Sequence, residues 1–281
     1  MKLTALFIPL LSCLLVACDA RKDSHATSGA AKDDKVIKHI MSDAAFNSEL
    51  APILKAEVAK QGYTLNWVVV NDIIQPNKLV DDGSADSNSF QHEPYFDQFV
   101  TDHGLKNVVR GFYTVFTSSG LYSKKYKSLE QVPDGATFGI PVDPANNGRA
   151  LFMLRDKGLL KMKDGVTVTH ARLKDITENP HHFRFKEVDQ LMLQRALDDV
   201  DVGFLFSAIA MKAGFDFQKD SLAMEGRGVD SPFKGMVAIR KDLVGSPKIE
   251  VLKRAYESEA IKAFYQKHYG DAIQFLDEMN K

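Results

Sequence analysis

Two short segments hold the residues best suited to chemistry. The first is Phe90-Gln91-His92-Glu93-Pro94-Tyr95, an aromatic and amphipathic stretch expected between a short strand and a helix. Its rings can wall an apolar ligand while the imidazole or the phenol hydroxyl supplies a polar contact. Composition leaves a second reading open, in which Phe90 and Tyr95 are core and His92 is a satisfied polar group. The second segment is Ile140-Pro141-Val142-Asp143-Pro144-Ala145-Asn146-Asn147-Gly148-Arg149. Here a strand ends and a helix begins within a few residues, with Pro144 suited to the first turn. Ligands of open α/β sheets bind beyond the carboxyl ends of strands, where helix N-termini present free N–H groups. Arg149, read as part of the first turn, carries a charge that the helix dipole disfavours unless an anion accompanies it. Its donor fork matches a carboxylate in bidentate fashion. The competing account is a surface arginine paired to a neighbouring acid; the local electrostatics favour a ligand.

Other constellations argue less for chemistry. G-x-S-x-G, H-E-x-x-H and P-loop lysine motifs are all absent from the sequence. His181-His182 follows Asn179-Pro180, and adjacent side chains of an extended chain point to opposite faces. A solvated loop is therefore favoured over a zinc site. Asp198-Asp199, continued by Asp201, reads as a polar helix end leading into a strand rather than as an acid–base pair. Nothing here argues for an enzyme, and no metal or cofactor is expected.

The elements that position these segments alternate between two periods. Strands are expected at Val36–Ile40, Leu65–Val70 (an apolar run of the fully buried kind), Val108–Phe116, Ala136–Ile140, Val166–Thr169, Phe183–Val188, Val200–Phe206 and Met236–Ile239. Helices are expected at Asn47–Lys60, Pro94–His103, Pro144–Lys157 and Gln190–Leu197, with more from about Pro247 to Met279. Such alternation argues for α/β layers with mostly parallel sheets. A Ser-, Gly- and Lys-rich stretch near Ser118–Ser128 suggests a boundary. The expected architecture is two α/β lobes with a ligand cleft between them: residues 35–117 plus 232–281, and residues 118–231.

Composition fits that picture. The 281 residues are 44% hydrophobic and 26% charged, which excludes a mostly disordered chain. Thirty-six Lys+Arg against thirty-seven Asp+Glu leave a net charge of −1, so no basic field recommends nucleic acid as a partner. Both cysteines, Cys13 and Cys18, lie at the N-terminus, which excludes a disulfide framework in the body. The apolar run Ala5–Val16 behind Lys2 is too short to cross a bilayer core of about 30 Å, and reads as the core of a secretory signal peptide spanning residues 1–17. Asp19–Asp34 contains no Leu, Ile, Val or aromatic residue and reads, within 18–34, as a flexible tether.

Several ordered motifs resemble one family. Leu15-Val16-Ala17-Cys18 resembles the bacterial lipobox, which implies a diacylglycerol thioether on Cys18. Phe90-Gln91-His92-x-Pro94-Tyr95 is joined by Tyr122-Ser123-Lys124-Lys125-x-Lys127-Ser128-Leu129 and Asp143-Pro144-x-Asn146-x-Gly148-Arg149-Ala150-Leu151. Glu178-Asn179-Pro180 and Leu197-Asp198-Asp199-Val200-Asp201 complete a set that resembles the methionine-binding lipoproteins of the NlpA/MetQ family. The resemblance implies a two-lobed periplasmic-binding-protein fold that closes on an amino acid and delivers it to an ABC permease. It implies Phe90, His92 and Tyr95 as pocket wall, with Asn146 and Arg149 around a ligand carboxylate. It also exposes departures: Ile73 stands where an aromatic residue is usual, and Phe206 and Ala208 replace an asparagine-rich stretch. Gly235 stands near another expected asparagine. The expected ligand is therefore a small carboxylate-bearing molecule: a methionine-like amino acid, a derivative or a short peptide. Asp19 after the lipobox cysteine favours the inner membrane, facing the periplasm. A surface lipoprotein with a degenerate pocket, acting as an adhesin or signalling module, is the alternative.

The lipobox generates a direct test. Cys18→Ser should yield unprocessed or soluble protein that no longer partitions into detergent. Retention of a lipidated, membrane-bound species in this variant would contradict the anchor.

Overall fold

The structure is a computed structural model that describes residues 35–42, 47–225, 231–270 and 273–280. The signal peptide, Cys18 and the tether lie outside the described residues. No helix among the described residues is long and apolar enough to cross a membrane.

The first sheet is built from β1 (Val36–Ser42), β2 (Thr64–Val70), β3 (Ser87–His92), β4 (Val108–Tyr113) and, late in the chain, β13 (Gly235–Arg240). Their order is β2-β1-β3-β13-β4. Alternation along β1 sorts its side chains to two faces. Ile37 and Met41 join α1 (Asn47–Ala59), α7 (Pro247–Tyr256) and α8 (Glu259–Tyr269) in one core, with Leu54, Leu252 and Ile261 fully buried. Ile40 joins the other face, under α2 (Gln75–Asp81) and α3 (Glu93–His103), with Val80 and Phe96. Each such buried aliphatic or aromatic side chain contributes about 1.5–3 kcal/mol.

The second sheet runs β10-β7-β11-β6-β12, from β6 (Ser119–Tyr122), β7 (Thr137–Pro141), β10 (Arg184–Val188), β11 (Val202–Phe206) and β12 (Ala223–Met224). Its core packs Phe138, Ile140 and Phe204 against Leu151 and Leu154 of α4 (Pro144–Asp156) and Leu193 of α5 (Leu193–Ala196). Helix α6 (Ser207–Lys212) follows β11 directly. A small hairpin pairs β8 (Lys161–Met162) with β9 (Ile176–Glu178), and β5 (Val115–Thr117) pairs with β14 (Ile273–Phe275). The result is the two-lobed α/β fold expected, with a cleft between the sheets.

Four expectations need correction. The sheets are mixed, not mostly parallel: β13 runs antiparallel to β3 and β4, and β6 antiparallel to β11 and β12. Strand β2 is an edge strand rather than a fully buried one, and Val68 and Val69 are 40% and 49% exposed. Val166–Thr169 forms no strand; it is a turn packed on α4, where a Cβ on Gly148 would lie 2.0 Å from the Val168 carbonyl oxygen. That approach is what requires glycine in the Asn-x-Gly-Arg stretch. Gln190–Leu197 is a 3-10 turn followed by the single turn of α5.

Candidate ligand-binding site

The site starts at two helix caps. His92 ends β3 with extended backbone (φ −106°, ψ 163°) and caps α3, its Nδ1 accepting the Tyr95 N–H at 3.2 Å. That bond places the ring proton on Nε2, which donates to Asn146 Oδ1 at 2.8 Å. One hydrogen bond thus joins the first sheet to a helix of the second. Beneath it, buried amides hold β3 in place. Asn77 and Gln91 exchange bonds of 2.8 and 2.7 Å, and Asn88 donates to Asn77 at 2.9 Å. Tyr95 packs edge-on against Phe90 (6.0 Å) and its hydroxyl donates to the Ile73 carbonyl at 3.1 Å.

The second cap is Asp143. Its Oδ1 accepts from the backbone N–H of Asn146 at 3.0 Å and from Asn146 Nδ2 at 2.9 Å, while Pro144 supplies the pre-set first turn. Three residues on, Arg149 lies on the same helix face as Asn146 and donates from Nη1 to Asn146 Oδ1 at 3.0 Å. Arg149 stands in the second turn, not the first, so the helix dipole bears on it less than expected.

Arg149 is buried, with its side chain 2% exposed, and it is not waiting for a counter-ion. Glu225, just past β12, takes the Nε edge of the guanidinium: Nε donates to Oε2 at 2.9 Å and Nη2 to Oε1. Nη2 also donates to Ser119 Oγ at 2.8 Å, and the Ser119 N–H donates to Glu225 Oε1 at 2.6 Å. Phe233 covers the guanidinium face at 4.2 Å, with Phe206 at 5.4 Å. Four of the five N–H donors are therefore used by described residues, which among these leaves one on Nη1. The bidentate fork read from the sequence is closed by Glu225 of the same chain, and the pairing is buried rather than at the surface.

A cavity of about 270 Å³ lies between the sheets. Its wall holds all five residues expected there: Phe90, His92, Tyr95, Asn146 and Arg149. The four departures, Ile73, Phe206, Ala208 and Gly235, line the same cavity. A Cβ on Gly235 would lie 2.4 Å from the Val115 carbonyl oxygen, so β5 leaves no room for a side chain at that position. Sequence reasoning missed Glu225, Ser119 and Phe233. A buried arginine demands an acid, but nothing along the chain distinguishes an acid 76 residues away from the other carboxylates. Elsewhere, His181 stacks on Phe183 and meets Asp134 at 2.8 Å, while Asp198, Asp199 and Asp201 pair with Lys124, Lys186 and Lys125. No group of residues suited to a metal ion occurs among the described residues.

Two measurements follow from this geometry. Arg149→Ala strands Glu225 in a nearly closed site. The ligand-free protein should therefore lose about 3–5 kcal/mol of stability in urea denaturation. Lysine should rescue poorly, and Arg149→Met combined with Glu225→Leu should recover most of the loss. A loss under about 1 kcal/mol in Arg149→Ala would exclude a structural pair. The second measurement concerns acid. Burial, and secondarily the Arg149 charge, lowers His92 to about 3, and burial lowers His39 to about 3. Both folded values lie below the ordinary 6.5, so the unfolded chain takes up these protons first. The contribution of the neutral rings is complete above pH 6.5 and is lost progressively as the pH falls from 6.5 towards 3. Denaturation midpoints should drop across that window, and less steeply in His92→Gln; an equally steep drop in both proteins would exclude His92 as a cause.

Comparison with known proteins agrees with this architecture. Residues 41–275 match the family described as NlpA lipoprotein. The D-methionine-binding lipoprotein MetQ of Salmonella typhi is 35% identical over 243 residues, covering 85% of this chain and 88% of that protein. Outer membrane lipoprotein 1 of Mannheimia haemolytica is 34% identical over 273 residues, covering 95% and 96%. Among solved structures, a nutrient binding protein from Burkholderia cenocepacia bound to methionine superposes with a TM-score of 0.79 at 33% identity. It covers 85% of this chain and 99% of its own. The chain belongs to the NlpA lipoprotein family, whose members are substrate-binding proteins and not enzymes.

Proposed function

We propose that the protein is the lipid-anchored substrate-binding component of an ABC importer. It takes a small carboxylate-bearing ligand into the cleft and hands it to a permease. Cys18 supplies the anchor and Asp19 favours the inner membrane. The lobes are residues 35–117 plus 232–281, and residues 118–231. The observation that carries this reading is the meeting of His92, from the first lobe, with Asn146 and Arg149, from the second, in the wall of one cavity. A ligand that touches both sides favours the closed form by its extra contacts there. Phe90, Tyr95, His92, Asn146 and Arg149 are the proposed contacts, with the spare Nη1 donor of Arg149 as the carboxylate's partner.

The same wall argues against free methionine as the preferred ligand. Phe206 and Gly235 replace polar groups that the family resemblance assigns to the amino-acid head, so an ammonium there meets rings instead of acceptors. Burying a charge without partners is costly, and specificity follows from groups left unpaired. Ligand-stripped protein should bind L-methionine no better than roughly millimolar and N-acetyl-L-methionine more tightly. Phe206→Asn should strengthen methionine binding about tenfold, the worth of one charge-assisted hydrogen bond. Gly235→Asn should not, because β5 blocks its Cβ. Calorimetry checks all three, and sub-micromolar methionine binding by the unaltered protein would overturn this specificity.

A further inference from the structure

The cavity is also lined by Leu50, Phe264, Tyr265 and Tyr269, well away in sequence from the Arg149 cluster. Tyr265 and Tyr269 lie one turn apart on α8 with ring centroids 5.8 Å apart. Tyr265 packs against the cores of both sheets, and Tyr269 is buried in that of the second. Their hydroxyls differ from those of the other enclosed tyrosines. Tyr95 donates to the Ile73 carbonyl, Tyr113 to Glu93, Tyr122 to the Phe217 carbonyl, and Tyr256 bonds to His39. Among the described residues, the polar bonds of Tyr265 and Tyr269 are replaced by ring contacts alone. Burial raises Tyr269 to about 12 and Tyr265 well above its ordinary value, so both remain protonated donors. A phenol that lines a cavity with no hydrogen-bond partner among the described residues costs free energy unless something in the cavity accepts its hydrogen.

We propose that Tyr265 and Tyr269 form a second polar subsite of the cleft. It accepts a carbonyl oxygen at the far end of a ligand longer than one amino acid, such as an acylated or peptide-linked apolar amino acid. The inference rests on the binding-protein reading above and extends it. Arg149, His92 and Asn146 hold one end of such a ligand, the aromatic wall covers its middle, and the two phenols hold the other. Two neutral donors suit an amide oxygen, which gives up less hydration than an ion on entering an aromatic enclosure.

The test crosses a matched ligand pair with a conservative variant. N-acetylglycyl-L-methionine carries a distal amide carbonyl; N-pentanoyl-L-methionine has the same chain length without it. Calorimetry on ligand-stripped mature protein should give at least tenfold tighter binding of the acetylglycyl compound. Tyr265→Phe combined with Tyr269→Phe keeps both rings and removes the unpartnered hydroxyls, so its melting temperature should equal or exceed that of the parent. The double variant should lose the preference while holding the pentanoyl compound within about twofold of the parent. If the parent binds both ligands equally, or the variant keeps the preference, the subsite is overturned and the carrier reading stands. If neither compound nor N-acetyl-L-methionine binds, the carrier reading fails and takes the subsite with it.

Discussion

Arg149 is a charge that the fold must neutralise out of contact with water, and much of the site's construction follows from doing so. Its side chain is almost wholly enclosed, and an unpaired ion there would be untenable. Meeting its donors calls on three elements of the second sheet's layer: Asn146 one turn earlier on α4, Ser119 at the start of β6, and Glu225 at the exit of β12. Ser119 also donates its backbone N–H to Glu225, so acid, base and strand end are tied in one closed cycle. Phe233, just before β13, then closes the guanidinium face from the part of the chain that returns to the first sheet. Because Asn146 and Ser119 are short side chains and Glu225 is itself held by the Ser119 N–H, the remaining Nη1 hydrogen has a defined direction. A flexible cation in water would present a cloud of directions instead.

The mixed topology is what makes that convergence possible. In a purely parallel sheet every connection is a crossover, and all strand ends of one kind lie on one side. Here β13 runs antiparallel between β3 and β4. Its beginning, with Gly235 paired to His92, therefore lies beside the end of β3. The antiparallel β6 likewise brings Ser119 to the end of β11, opposite Phe206. Both sheets thus gather starts of some strands and ends of others at the cleft. Gly235 is the tightest consequence: β5 passes so near that backbone occupies the space a side chain would need.

Local chemistry was legible in the sequence wherever it depended on near neighbours. Asp143-Pro144 announces a capped helix, and His92-x-Pro94-Tyr95 announces another; both caps form through bonds spanning three residues. The body of the two-layer pattern was legible for the same reason, since periodicity is a local property. What escaped depended on distance. Glu225 reaches Arg149 across 76 residues. The apolar run in β2 looks like an interior strand, yet interior or edge is decided by whether another strand arrives beside it, and among the described residues none does. Val166–Thr169 has β-branched residues but no ladder partner, because its backbone is held against Gly148 of α4. Strand β6 was hidden in a stretch rich in serine and glycine that composition alone assigns to a connection, although all four of its residues are buried.

Phe206 and Gly235, which stand where the family resemblance implies polar groups, bear on more than one contact. With Glu225 holding the Nε edge of Arg149, the cluster is a neutral pair before any ligand arrives. The field it presents to the cavity is that of a dipole, falling off faster than a lone charge. Aromatic rings on the guanidinium face reinforce this by supplying a weak, diffuse negative surface in place of directed acceptors. On the side of Phe206 and Phe233, a zwitterionic head would meet rings in place of acceptors. A group with one anionic or carbonyl oxygen and an apolar neighbour would leave nothing unpaired. Under the proposed carrier function, such a wall selects its ligand by the groups it would leave unpaired.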